Sequence, residues 1–116
     1  MRVLVRGAGV AGLTTAHELA ARGAEAVVVD RRSSAAESAS WFAGGMLAPF
    51  CERESAEETV VTLGRQAAGW WERALPGSVQ ANGTLVVAPS RDTAELRRFA
   101  ARTRGHARIG ADEIAG

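Results

Sequence analysis

Between the apolar run Val3-Leu4-Val5 and a segment of helical spacing lies Gly7-Ala8-Gly9-Val10-Ala11-Gly12, and no other stretch restricts the fold as much. A short apolar run ahead of such a glycine turn reads as a buried parallel strand. From Val10 to Arg22, apolar or small residues recur at Val10, Leu13, Ala16, Leu19 and Ala20, the spacing of one helix face. Ala26-Val27-Val28-Val29 reads as a second strand, and it ends at Asp30. Strand, turn, helix, strand and acid in that order form a βαβ unit of the kind that binds a dinucleotide.

Each residue type answers a separate need. Gly7 lets the chain turn sharply out of the strand. Gly9 lacks a Cβ, so backbone can approach a pyrophosphate closely, and Gly12 lets the helix pack tightly on the strand. The helix then begins with unpaired N–H groups and about half a positive charge facing the phosphates. Asp30 falls close to the expected offset of about 20 residues, where a carboxylate accepts hydrogen bonds from ribose hydroxyls. Ala16 and Gly23 are small where helix and sheet would otherwise clash. Arg6, a charge directly before the first glycine, either reaches phosphate or escapes to solvent.

The two arginines after Asp30 leave two readings open. Arg31 and Arg32 would suit a 2′-phosphate, hence NADP, or they form a solvated turn with a guanidinium near the adenine. The Asp30 charge opposes the first. Ser33 to Ser40 is a polar loop leading into Trp41-Phe42-Ala43-Gly44-Gly45-Met46-Leu47. Paired glycines before Met and Leu fit a backbone passing beside a flat ligand, and equally a buried turn under an apolar lid.

Composition narrows the partners. The chain has 116 residues and a formal net charge of +1, with no basic excess to neutralise a nucleic-acid backbone. Cys51 is the only cysteine, which excludes an intrachain disulfide and suits a reducing, cytoplasmic setting. The run Val3 to Val5 is too short for a secretory signal core, and nothing approaches the roughly 18 apolar residues of a membrane span. A parallel sheet needs helices on both faces, and one βαβ unit does not supply them, so the chain reads as the front part of a longer protein.

Further along, Cys51 stands beside acids, a poor setting for a reactive thiolate, and reads as structural. Ser55 and Glu58 form a capping box. The helix after it carries Val60, Gly64, Ala67, Trp71 and Leu75 in one stripe and ends at Pro76-Gly77. Asn82-Gly83 inside Gln80 to Ala88 signals a hairpin. Asp92 and Glu95 open a helix over Thr93 to Arg102 with Leu96, Phe99 and Ala100 inward. Ile109 reads as a short strand and Asp112-Glu113-Ile114 as the start of a helical turn. His17 and His106 read as solvated. No metal-ligand cluster and no Ser-His-Asp set is visible.

The glycine turn, Asp30 and the segment Ala39-Ser40-Trp41-Phe42-Ala43-Gly44-Gly45-Met46-Leu47 resemble the start of the glycine oxidase and D-amino acid oxidase family of flavoproteins, most of all its thiamine-biosynthesis branch. The resemblance implies FAD as cofactor, with Val10 and Ala11 at the pyrophosphate and Asp30 at the ribose. It further implies Arg31 on the adenine side, Ser40 near the phosphates, and Gly44, Gly45 and Met46 along the flavin. Gly44 stands where relatives often have alanine, and Trp41-Phe42 replaces smaller residues. The implied fold is α/β: a Rossmann-like FAD-binding unit with parallel strands (residues 1–77), then the beginning of an antiparallel substrate-domain sheet (78–116). The implied reaction is oxidative deamination of glycine or another small amino acid or amine with release of peroxide. Its substrate-gripping residues would follow position 116, and the full-length form would be a homo-oligomer. Two other readings stand beside it: a nicotinamide-dependent dehydrogenase, and a truncated, non-catalytic product with weak nucleotide affinity.

Overall fold

A computed structural model describes residues 1–53 and 55–114 of the chain. They fall into two compact units, Met1–Gly45 and Met46–Gly116. In the first, β1 (Arg2–Arg6) and β2 (Glu25–Val29) pair in parallel, with Arg2 opposite Glu25 and Arg6 opposite Val29. Helix α1 (Val10–Ala21) crosses between them. This is the expected βαβ unit, and its boundaries fall within a residue or two of the sequence reading.

Alternation along β1 assigns its faces. Val3 and Val5 are half-buried while Leu4 is 62% exposed. A Cβ built on Gly12 would lie 3.6 Å from Val5 Cγ1, so Val5 faces α1. Ala16 is the buried residue of the helix, small where α1 meets the strands. Val10 and Leu13, expected on the same inward stripe, are about half exposed at 48% and 47%. The helix ends in a Schellman turn. Gly23 takes φ +83°, its N–H donates to Ala20 O, and Ala24 N–H donates to Leu19 O. Only glycine adopts that conformation without strain, so Gly23 terminates the helix as well as clearing space.

The second unit is helical: α2 (Pro49–Glu52), α3 (Glu58–Gly64), α4 (Ala67–Ala74), α5 (Thr93–Arg102) and α6 (Ala111–Ile114). Here several expectations need correction. The single helix expected after Ser55 is two helices, and Ser55 does not cap it. The N-cap is Glu57, without a side-chain bond, because Glu58 pairs with Arg53 Nε at 2.9 Å instead of reaching back. The break follows Gly64, a weak helix former, against which Pro49 packs so closely that a Cβ there would lie 2.7 Å from the proline Cβ. Trp70 and Trp71 meet edge to face with centroids 4.9 Å apart, and both are half-buried.

The hairpin over Gln80 to Ala88 does not form, and no antiparallel pair occurs among the described residues. A type I′ turn needs positive φ at both central residues. Gly83 has φ +72°, but among the described residues none other than glycine has positive φ, so Asn82 does not complete the turn. Helix α5 matches its expected span, with Leu96, Phe99 and Ala100 half-buried. Asp92 precedes it without a side-chain cap bond, and Glu95 pairs with Arg98. Ile109 is exposed and outside any strand, whereas Asp112 to Ile114 are helical as expected. His106 contacts Thr103 Oγ1 at 3.4 Å.

Candidate cofactor site

The end of β1 dictates the site. The ladder continues one step beyond the strands, since Gly7 N–H donates to Val29 O at 2.7 Å. Gly7 then takes φ +105°, a left-handed conformation that an L side chain would strain. The turn carries Ala8 N–H onto Asp30 Oδ2 at 2.7 Å. Gly12 comes in underneath: a Cβ on it would fall 1.9 Å from Gly7 O, a distance no side chain tolerates. Thus the first and third glycines have structural reasons visible in the unit itself.

At the start of α1, Val10 N–H donates to Ser40 Oγ at 2.9 Å. Ser40 therefore satisfies one of the orphan donors of the first turn from thirty residues away. Among the described residues, the N–H groups of Ala11 and Gly12 have no protein acceptor. Gly9 has φ −81° and sits directly under Ser40, whose Oγ would be 3.2 Å from a Cβ there. Backbone donors, the helix dipole and a hydroxyl thus converge at one corner, as an anionic diphosphate requires.

Asp30 closes β2. Its carboxylate accepts four bonds: Ala8 N and Arg32 Nη2 on Oδ2, each at 2.7 Å, and Arg32 N and Nε on Oδ1, each at 2.9 Å. The Asp30 side chain is 10% exposed and that of Arg32 29%. The fork of Arg32 is the leading reason that Asp30 ionises well below the usual carboxylate range, and the Ala8 and Arg32 amides add to it. Arg32 is correspondingly pushed up by Asp30. Because the folded pKa is depressed, the pair's contribution to stability is fully present above the unfolded aspartate value of about 3.9. It is lost as pH falls through the lower folded value. The Asp30 carboxyl resonance is expected to stay flat from neutral pH to about 4 and to move only under stronger acid; a midpoint at an ordinary aspartate value would show that the fork does not form in solution.

Beside this pair lies a cavity of about 270 Å³ lined by Leu13, Val28, Asp30, Arg32, Ala35 and Ser38, among others. Its apolar and hydroxyl-bearing walls, with an acid at the rim, suit an adenosine. Arg32 extends over it, with Nη1 3.4 Å from Glu37 O. Ser34 caps the short turn Ala35–Glu37 by accepting from Ala36 N at 3.1 Å, and buried Ser38 accepts from Trp41 N at 3.3 Å.

The structure gathers Gly7, Gly9, Val10, Ala11, Gly12, Asp30 and Ser40 at this corner. Arg31 is exposed, and it is Arg32 that engages Asp30. Gly44 and Gly45 are exposed, with open space around both and φ +67° at Gly45; Met46, 69% exposed, opens the second unit. Arg6 is exposed at the strand end. Sequence reasoning named Arg32 but missed its pairing with Asp30, and it missed the Ala8 amide. The first had a signal, an arginine two residues past the acid. The second is backbone and had none. Among the described residues no cluster could hold a metal ion, and no helix is long and apolar enough to cross a membrane.

A glycine turn opening a helix, with an acid hydrogen-bonded to the turn from the next strand, defines a dinucleotide-binding βαβ unit. The particular family follows from comparison: over residues 2–115 the chain matches, and belongs to, the FAD dependent oxidoreductase family. It is 62% identical over 105 residues to the Rhizobium etli protein that carries the name thiamine biosynthesis oxidoreductase ThiO, which covers 90% of this chain and 32% of that protein. It is 36% identical over 97 residues to a D-amino acid dehydrogenase of Cereibacter sphaeroides, covering 84% of this chain and 20% of the relative. It is 52% identical over 48 residues to a glycine oxidase of Pseudomonas aeruginosa, covering 41% and 13%. The chain thus spans at most about a third of these relatives. No solved structure gave a match.

The family's cofactor is FAD, and the corner fits it: bare backbone at the turn, unpaired donors at Ala11 and Gly12, and an ionised acid beside an adenosine-sized cavity. Membership in this family selects FAD over a nicotinamide coenzyme.

Proposed function

We propose that the whole protein is an FAD-dependent oxidase that deaminates glycine or a similarly small amino acid or amine, releases peroxide, and serves thiamine biosynthesis. The observation that supports the reading best is the Asp30 carboxylate fixed to the Ala8 amide beside an open helix terminus, in a chain so similar to ThiO. Bound there, FAD supplies the two-electron oxidation that no amino-acid side chain performs.

This chain's share is binding and orientation. In the proposal, the backbone at Gly7, Gly9, Val10, Ala11 and Gly12 receives the diphosphate, with Ser40 beside it. Asp30 holds the ribose, Arg31 lies toward the adenine, and Gly44, Gly45 and Met46 run along the flavin. Residues 1–77 belong to the FAD-binding domain and 78–116 begin the substrate domain, in an assembly of identical subunits. The substrate's carboxylate and amine are gripped by residues outside this chain. Purified full-length protein is expected to be yellow and to produce peroxide with glycine, and more weakly with bulkier amino acids. A colourless protein that takes up no FAD would overturn the proposal, and a yellow protein inert toward every small amino acid and amine would remove the substrate part.

A further inference from the structure

A carboxylate offers about four lone-pair positions, and protein donors fill all four on Asp30. A ribose that binds this acid presents two neighbouring hydroxyls, each of which needs one of those positions. The four bonds are not equivalent. Ala8 N and Arg32 N are backbone donors, one on each oxygen, fixed by the turn and by the chain itself. The remaining two come from Arg32 Nε and Nη2, a planar fork with one donor on each oxygen. That arrangement, two adjacent donors addressed to both oxygens, is the one a vicinal diol presents.

We propose that Arg32 is an internal stand-in for the ribose: its guanidinium covers the Asp30 carboxylate before the coenzyme arrives and must swing away for the diol to bind. The inference rests on the reading of this corner as the FAD site. The cover lies on the wall of the adenosine-sized cavity and has a hold on the opposite side, the 3.4 Å contact to Glu37 O. Its removal leaves Asp30 oriented, because both backbone donors remain. Arg32 is therefore a positioning residue whose side chain competes with the ligand. The measured affinity is the intrinsic one reduced by the fraction of molecules in which the fork is open.

The competition separates FAD from FMN, which lacks the adenosine half. Apoprotein of the full-length enzyme is titrated with FAD and with FMN, following flavin fluorescence, for the natural sequence, Arg32→Ala and Arg32→Lys. Lysine keeps the charge but cannot present a fork. Both variants are expected to bind FAD about twofold to fivefold more tightly, the scale of a partly exposed ion pair, with FMN affinity unchanged. FAD affinity that is unchanged or weaker in either variant overturns the proposal, as does an equal gain for FMN. Absence of FAD binding by the natural sequence is a different failure, that of the functional reading itself.

Discussion

Substituting alanine for Gly12 is expected to destabilise the first unit by about 3 kcal/mol, the upper range for overpacking, and to remove FAD binding with it. The added Cβ would meet Gly7 O at 1.9 Å and the Gly7 carbonyl carbon at 3.0 Å. Both are backbone atoms, held by the ladder bond from Gly7 to Val29 and by the left-handed turn. No rotamer change relieves such a clash, so α1 must move off the strand or the turn must open. Either motion separates Ala8 N–H from Asp30 and the helix terminus from the ligand corner. Denaturant unfolding of the apoprotein reads the first effect and FAD titration the second. An unfolding midpoint equal to that of the natural sequence would show that α1 yields freely and that close packing is not what Gly12 is for.

Gly9→Val should behave in the opposite way. Gly9 has φ −81° with extended ψ, which any residue adopts, and its nearest obstacle is the Ser40 hydroxyl at 3.2 Å, which is the end of a side chain and free to turn. The fold is therefore expected to survive, with circular dichroism and unfolding midpoint nearly unchanged. The branched side chain would cover the approach to the Ala11 and Gly12 amides and displace Ser40 from Val10 N–H. Hydrogen bonds to a charged group contribute about 1.5–3 kcal/mol each. Loss of two of them corresponds to an FAD affinity lower by at least about 100-fold. Retained affinity in a folded Gly9→Val protein would place the diphosphate elsewhere. The two variants together separate a glycine needed by the chain from a glycine needed by the ligand.

The first unit was readable from its sequence because its determinants are local and mutually consistent. Apolar runs mark both strands, small residues mark the packed face of α1, and glycine marks each sharp turn. The second unit was harder because distant or competing partners decide it. Arg53 captures the carboxylate that would have closed the Ser55 capping box, and Pro49 packs on Gly64 where the stripe suggested an unbroken helix. A short β-rich run needs a partner strand, and Asn82-Gly83 lacks the backbone conformation that would bring one back. Within the site, the glycines and Asp30 carried a recognisable spacing. The identity of the arginine that grips Asp30 did not, because adjacent side chains leave a turn in different directions and spacing alone cannot say which returns.

The union of Ala8 with Asp30 has a bearing on strand register. It comes one residue after the Gly7–Val29 bond on both strands and ties their ends through a side-chain oxygen. The corner that greets the coenzyme is thus the last tooth of the zipper joining the two strands. A slip of one residue between the strands would carry Asp30 away from the Ala8 N–H, so this corner is complete only in the register the two strands adopt.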